Sequence, residues 1–193
     1  PTRMVAPGDP VVVSRSRRKF VSRGGEKLDA ALNSFQIEIT GKRVVDVGAS
    51  TGGFSDCVLQ RGAREVVAID VGYGQLDQGI RTHPRVQVFE RTNVRYIEAA
   101  DVGGSGDLVV ADLSFISLRT VLPSLVDLCG NGGDLLMLVK PQFEAVRAET
   151  SRGQGIIRSP DVWLQVLEKV SGCVSDSGFG IMGVMPSPLR GAG

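Results

Sequence analysis

Residues 44–70 read VVDVGASTGGFSDCVLQRGAREVVAID, and this stretch decides the fold. A short apolar run contains Asp46, a glycine-containing turn follows it, and a helical segment leads to a second apolar run that ends at Asp70. Short Val- and Ile-rich runs without strict alternation are typical of strands that are buried on both faces of a parallel sheet. The stretch therefore predicts a strand–turn–helix–strand unit.

The same alternation continues along the chain. A helix capped by Ser22 is predicted in SRGGEKLDAALNSF, and a long loop is predicted at 145–158. The predicted strands are 43–47, 65–70, 86–89, 107–111 and 134–139, with a further strand at 179–185, and the other predicted helices are 53–61, 74–81, 117–128 and 159–176. This order predicts an α/β fold, a doubly wound Rossmann-like sheet with helices on both faces.

The composition is that of an ordinary globular domain, with 42% hydrophobic and 22% charged residues in 193. The three cysteines are scattered through apolar segments, so we expect reduced thiols and a cytoplasmic protein. His83 is the only histidine, which argues against a histidine-based metal site and against Ser-His-Asp catalysis. We expect no metal cofactor.

Positive charge is concentrated at the start of the chain. Residues 1–27 carry a net charge of +5, although the whole chain carries only +1. We interpret residues 1–20 as a linker and basic arm that contacts a polyanion, and a merely solvated basic flank is the alternative. Aromatic residues make up only 5% of the chain, which gives no sign of a surface for stacking RNA bases. The candidate phosphate-binding residues are Arg15, Arg17, Arg18, Lys19 and Arg23.

The glycine turn does not match the two common phosphate-binding patterns. A dinucleotide fingerprint, G-x-G-x-x-G, requires a second glycine where this chain has Ser50. A P-loop requires a lysine after Gly53, and Phe54 occupies that position. The turn is therefore predicted to hold a ligand other than a phosphate.

Asp70 indicates what that ligand is. A carboxylate at the end of the second strand is placed to accept two hydrogen bonds from a ribose diol. An acid in the first strand, the glycine turn and an acid at the end of the second strand together resemble the S-adenosylmethionine site of class I methyltransferases. The structural alternative is that the glycines only form a tight turn and that Asp70 only caps a helix. The candidate cofactor-binding residues are Asp46, Gly48, Ser50, Thr51, Gly52, Gly53, Phe54, Asp70, Thr92, Asn93 and Asp112.

Longer motifs are similar to one family. SRGGEKL, VVDVGASTGGFSDCVLQ, RTNVR, DLVVADLSFISL and LLMLVKPQFE resemble the TlyA, or hemolysin A-like, family of FtsJ-type ribosomal RNA 2′-O-methyltransferases. The resemblance implies S-adenosylmethionine as cofactor, ribosomal RNA and ribosomal subunits as partners, and a ribose hydroxyl, of cytidine, as acceptor. It also implies a methyltransferase domain at 21–193 that lacks an N-terminal RNA-binding domain and its own C-terminal end.

The same resemblance suggests the catalytic groups. FtsJ-type enzymes use a Lys-Asp-Lys-Glu tetrad, and by motif its first three members fall on Lys27, Asp112 and Lys140. The expected glutamate would follow SPLRGAG, where the sequence ends, and Glu144 belongs to a different motif and is not assigned to that role. Two other hypotheses remain: a membrane-active protein, as the name hemolysin suggests, and an RNA-binding module with a vestigial cofactor pocket.

Overall fold

A computed structural model describes residues 18–145 and 157–189. The strands within these residues are β1 (Arg43–Val47), β2 (Glu65–Ile69), β3 (Val86–Phe89), β4 (Leu108–Ala111) and β5 (Asp134–Met137). The helices are α1 (Arg23–Ser34), α2 (Gly53–Gln60), α3 (Gln78–Arg81), α4 (Leu118–Cys129), α5 (Pro141–Glu144) and α6 (Pro160–Asp176). Two 3₁₀ turns, Val94–Tyr96 and Ala99–Val102, connect β3 to β4.

All five strands are parallel, in the spatial order β3-β2-β1-β4-β5. The chain winds outward from β1 to β3 and then crosses back to β4, so the order reverses between β1 and β4. Val47 pairs with both Ile69 and Ala111, and Ala111 pairs with Met137. The carboxyl ends of four strands therefore meet at one edge, which is where ligands bind in open α/β sheets.

Helices cover both faces of the sheet. Val44, Val66 and Val110 point to one face and pack with apolar residues of α1, α2 and α3. The neighbouring residues Val45 and Val67 point to the other face and pack with α4 and α6. Burial of alternate residues on opposite faces explains why the strands lack polar alternation. The predicted doubly wound fold is confirmed.

Two predicted elements were wrong. The predicted strand at 179–185 is irregular, because its apolar side chains find no strand to pair with among the described residues, and Met182 is almost fully exposed. The predicted helix at 74–81 is reduced to α3, because Asp77 caps it by accepting a hydrogen bond from the Gly79 amide. Arg15, Arg17 and most of the predicted loop at 145–158 lie outside the described residues.

Two other sequence expectations concern thiols and membranes. Cys57 and Cys129 are buried, and burial raises the pKa of the Cys57 thiol to about 12 and that of Cys129 to about 11. Both thiols are therefore protonated at neutral pH. Because the thiolate is the reactive form of cysteine, we expect both thiols to be unreactive. In the described part of the chain, no helix has the length and apolar character needed to cross a membrane.

Close packing between α1 and α2 fixes the position of α1 above the sheet. The Ser22 side chain caps α1 by accepting a hydrogen bond from the Gly24 amide. Gly53, the first residue of α2, lies directly against this turn, and a Cβ there would be 2.1 Å from Ser22 Oγ and 2.9 Å from the Gly25 nitrogen. The backbones of the two helix starts can approach this closely only because side chains are absent.

We therefore predict that Gly53→Ala destabilises the fold by about 1–3 kcal/mol, because its methyl group would overlap backbone atoms of α1. Gly172→Ala is the control, since a Cβ there meets no atom within 4 Å, and alanine in a helix interior should be neutral or stabilising. Urea unfolding of both variants without ligand measures the difference. Equal unfolding midpoints for the two variants would contradict the packing described here.

Candidate active site

The glycine turn after β1 packs directly against the end of β4. Gly48 and Gly52 have left-handed backbone conformations, with φ of +84° and +94°. A Cβ at Gly48 would lie 3.0 Å from the Asp112 carbonyl oxygen, and one at Gly52 would lie 2.8 Å from the Leu76 side chain. Both positions therefore require glycine for conformation and for space. The turn leaves its backbone open to a ligand at the edge of the sheet.

Asp70 joins the glycine turn to the loop after β2. Its two carboxylate oxygens accept hydrogen bonds from the Ser50 and Gly72 amides, each at 2.7 Å. A carboxylate oxygen has two lone-pair sites, so each can still accept a hydroxyl. Thr92 donates its amide to the Asp70 carbonyl, and Asn93 caps the following 3₁₀ turn. These residues follow β2 and β3 and lie at the same edge of the sheet as the glycine turn.

Three predicted cofactor ligands lie beneath the turn and not on its surface. Asp46 is fully buried, Phe54 belongs to the core, and Gly53 packs on α1. The side chains of Asp46 and Phe54 point inward, because they come from a strand interior and from the first turn of α2, so the assignment of these three residues to cofactor binding stays a prediction. In this structure they support the turn from below.

Asp46 is a carboxyl group that is fully buried inside strand β1, where ionisable side chains are uncommon. Ser55 donates its hydroxyl to one carboxyl oxygen at 2.6 Å, and the other oxygen has no hydrogen-bond partner. Burial is the main cause that raises the Asp46 pKa to about 7, and the Ser55 hydrogen bonds lower it in part. The carboxyl group is therefore partly protonated near neutral pH.

Lys27, Asp112 and Lys140 meet at the same edge. Asp112, one residue after β4, lies with one oxygen 2.6 Å from Lys140 Nζ and with the other 3.3 Å from Lys27 Nζ. The three side chains are between 18% and 24% exposed, so they are shielded but accessible. Two ammonium groups around one carboxylate give the cluster a net charge of +1. Residues that are far apart in sequence thus form one positively charged group beside the glycine turn.

An exposed aromatic ring lies on the loop that follows Asp112, which the low aromatic content did not suggest. Phe115, three residues after Asp112, is 91% exposed and has a left-handed φ of +65°. Its ring lies 5.2 Å from that of Phe143, and Lys140 also donates a hydrogen bond to Ser114 at 2.9 Å. Tyr73 and Tyr96 are exposed after β2 and β3. Phe115 lies four residues after the end of β4, and this position is the signal that could have revealed it.

The predicted phosphate-binding residues that the structure describes differ in their surroundings. Arg18 and Arg23 are exposed to solvent. Lys19 instead contacts Asp29 on α1 at 2.6 Å, so its charge is partly neutralised. Exposure leaves both guanidinium groups accessible to phosphates, and phosphate binding by Arg18 and Arg23 stays a prediction.

The residues at this edge suit S-adenosylmethionine better than a phosphate ligand. The turn presents close backbone at Gly48, the acid at Asp70 has free lone pairs for a diol, and no cationic side chain replaces the missing P-loop lysine within the turn. Among the described residues, no three His, Cys, Asp or Glu side chains are grouped as they would be around a metal ion.

A parallel sheet in this order, with a glycine turn after β1 and an acid after β2, defines the Rossmann-like fold of methyltransferases. A ribosomal protein L11 methylase from Lactobacillus delbrueckii shares this fold, with a TM-score of 0.59 and 19% identity over 84% of this chain and 73% of that one. The chain belongs to the FtsJ-like methyltransferase family, whose model matches residues 20–193.

Two other proteins have a higher sequence identity to this chain. The 16S/23S rRNA (cytidine-2′-O)-methyltransferase TlyA of Mycobacterium tuberculosis is 48% identical over 180 residues, which cover 93% of this chain. This chain spans 67% of that relative's length. The crystal structure of a protein described as a hemolysin from Lactococcus lactis has a TM-score of 0.87 and 44% identity, over 90% of this chain and 83% of that one.

The burial of Asp46 makes stability depend on pH. Because the pKa is about 7 in the folded protein and about 4 in an unfolded chain, only the folded state holds this proton between those values. Rising pH therefore lowers the contribution of Asp46 to stability across that window. We predict that Asp46→Asn gains on the order of 2 kcal/mol relative to the wild type between pH 5 and pH 8.

Urea unfolding of both proteins at several pH values measures this gain. The difference should grow toward pH 7 and level off above it. A difference that is constant from pH 5 to pH 8 would mean that Asp46 does not take up a proton in the folded protein over this range.

Proposed function

We propose that this chain is the methyltransferase domain of an enzyme that transfers a methyl group from S-adenosylmethionine to a ribose 2′-hydroxyl of ribosomal RNA. The observation that carries the proposal is the Lys27–Asp112–Lys140 cluster beside the glycine turn. The TlyA relative is named for cytidine 2′-O-methylation in 16S and 23S rRNA, and we propose cytidine as the acceptor nucleoside here. Because ribosomal subunits are its partners, we expect the protein to act in the cytoplasm.

The cofactor would lie across the carboxyl edge of β1 and β2. In this proposal Asp70 accepts hydrogen bonds from the ribose diol, and the backbone of Gly48 and Ser50–Gly52 surrounds the remainder. Thr92 and Asn93, which follow β3, would lie on the nucleoside side of the cofactor. The bound cofactor supplies an electrophilic methyl group on a sulfonium centre.

The acceptor hydroxyl would lie beside Lys140. In the transfer the 2′-oxygen would form a bond to the methyl carbon while the carbon–sulfur bond breaks with its electron pair staying on sulfur, and the hydroxyl proton would pass to solvent water. The cluster carries a net positive charge, which stabilises the negative charge that develops on the 2′-oxygen. Asp112 holds Lys140 Nζ at 2.6 Å and so orients it, while Lys27 adds a second cation. Holding the hydroxyl at reacting distance contributes much of the rate acceleration in such sites.

The nucleoside that carries this hydroxyl requires a surface for its base. Phe115 is an exposed ring on the loop that follows Asp112. It packs against Phe143, and the Phe143 ring in turn lies next to the Lys140 ammonium group. We propose that the base stacks on Phe115, since aromatic rings bind unstacked RNA bases in this way. Arg18 and Arg23 would bind flanking phosphates and give affinity with little sequence choice, and Arg15 and Arg17 stay predictions of the same kind.

Asp70→Ala should weaken S-adenosylmethionine binding about tenfold to 100-fold, because two hydrogen bonds to a charged acceptor are lost. Isothermal calorimetry on the chain measures the dissociation constant. Asp77→Ala is the matched control, since Asp77 also accepts a backbone hydrogen bond at this edge but only to cap α3. Equal affinities in the two variants would contradict the role of Asp70.

Lys140→Ala should lower the rate of methyl transfer about 100-fold or more, with S-adenosylmethionine affinity nearly unchanged. The assay measures labelled methyl transfer from the cofactor to ribosomal subunits by the full-length protein. Lys42→Ala is the control, because Lys42 is also paired with an aspartate, Asp134, but at the opposite edge of the sheet. Full activity of Lys140→Ala would contradict the mechanism and favour an RNA-binding module with a vestigial pocket.

A further inference from the structure

Glu144 is a buried carboxylate that the proposed chemistry does not use. Its side chain is only 2% exposed, and it lies at the end of α5, four residues after Lys140. One carboxylate oxygen accepts a hydrogen bond from the Leu118 amide and the other accepts one from the Ser117 hydroxyl, both at 2.6 Å. Both oxygens are therefore occupied by donors from another part of the chain.

The two donors lie where the loop after Asp112 joins α4. Ser117 and Leu118 begin α4, and they end the loop at 112–117 that starts with Asp112. Glu144 ends the short segment that starts with Lys140. The carboxylate thus connects the far ends of the two segments whose near ends hold the Asp112–Lys140 pair. Arg119 adds to the connection, with Nε 3.6 Å from the carboxylate and a hydrogen bond to the Glu144 carbonyl.

The loop at 112–117 needs such support. Phe115 has a left-handed backbone conformation that a bulky side chain disfavours, so contacts elsewhere must hold the loop in place. The start of the loop is held by the Asp112 amide, which donates to the Val47 carbonyl at 3.2 Å. Its end is held by Glu144. Without the carboxylate, the buried Leu118 amide would lose its acceptor and the loop could relax.

Glu144 itself does not contact the ribose hydroxyl that accepts the methyl group, because its carboxylate is buried and both of its oxygens already accept hydrogen bonds. We propose that Glu144 is a positioning residue for methyl transfer: it fixes the Asp112 loop against the Lys140 segment and so sets the distance between these two groups. This inference rests on the proposed function for its catalytic consequence. A misplacement of about 1 Å in such a site can reduce the rate about 100-fold.

The test compares Glu144→Ala, Glu144→Gln and the wild type in the full-length protein. We expect Glu144→Ala to lower single-turnover methyl transfer to ribosomal subunits about 10-fold to 100-fold at saturating cofactor and subunit. The dissociation constant for S-adenosylmethionine should stay within about twofold, because Asp70 and the glycine turn, which carry most of the proposed cofactor contacts, have no hydrogen bond to Glu144. Glu144→Gln should recover part of the rate, since its amide oxygen can still accept the Leu118 hydrogen bond.

Asp127→Asn is the matched control. Like Glu144, Asp127 accepts a backbone hydrogen bond from a distant residue, Ala99, at 2.6 Å, but it is exposed and lies in the last turn of α4, at the other end of that helix from Ser117 and Leu118. Its replacement should leave the transfer rate unchanged. Amide hydrogen exchange gives a readout that does not depend on activity: exchange at 112–118 should accelerate in Glu144→Ala and not in Asp127→Asn.

Three results would overturn the inference. They are a rate for Glu144→Ala within twofold of the wild type, a loss of cofactor affinity as large as the loss of rate, and unchanged hydrogen exchange at 112–118. If the wild type transfers no methyl group to subunits, the proposed function fails, and hydrogen exchange alone then decides whether Glu144 holds the loop.

Discussion

The carboxylate of Asp112 lies between two lysine ammonium groups, and the site depends on this interaction. Lys27 comes from α1, Asp112 follows β4 and Lys140 follows β5, so the contact requires three separate parts of the fold to be in place. The pairing of β4 with β5 brings the second lysine to the aspartate. The close packing of α1 on α2 brings the first lysine over the edge of the sheet. A single carboxylate makes the approach of two like charges favourable, and it leaves an excess of positive charge at the surface.

The same residue connects the Lys27–Asp112–Lys140 cluster to the glycine turn. The Asp112 amide donates to the Val47 carbonyl, and its own carbonyl touches Gly48, where no side chain would fit. The parallel register aligns Val47 with Ala111, so the turn after β1 and the cluster after β4 must be neighbours. A methyl donor that lies on the turn and an acceptor that lies on the cluster would therefore meet at Asp112.

Much of this could be predicted from the sequence, and the part that could not has physical reasons. Buried parallel strands have a strong apolar signal, so all five strands were predicted within two residues of their ends. The prediction of a strand at 179–185 was wrong, because apolar composition cannot reveal whether a neighbouring strand is available for pairing. The resemblance supplied Lys27, Asp112 and Lys140, and the structure brings them together. The burial of Asp46 and Phe54, the exposure of Phe115 and the hydrogen bonds of Glu144 depend on packing between distant segments, which no local pattern encodes.

The central claim is that the cluster acts on a ribose hydroxyl. The most direct measurement is to methylate ribosomal subunits with the full-length protein and isotopically labelled S-adenosylmethionine, and then to identify the modified nucleoside by mass spectrometry after complete digestion. The account predicts one labelled product, a 2′-O-methylated ribonucleoside, with the label on the sugar fragment. A label on a base fragment would contradict the assignment of the acceptor, and the absence of any labelled nucleoside would contradict the proposed activity.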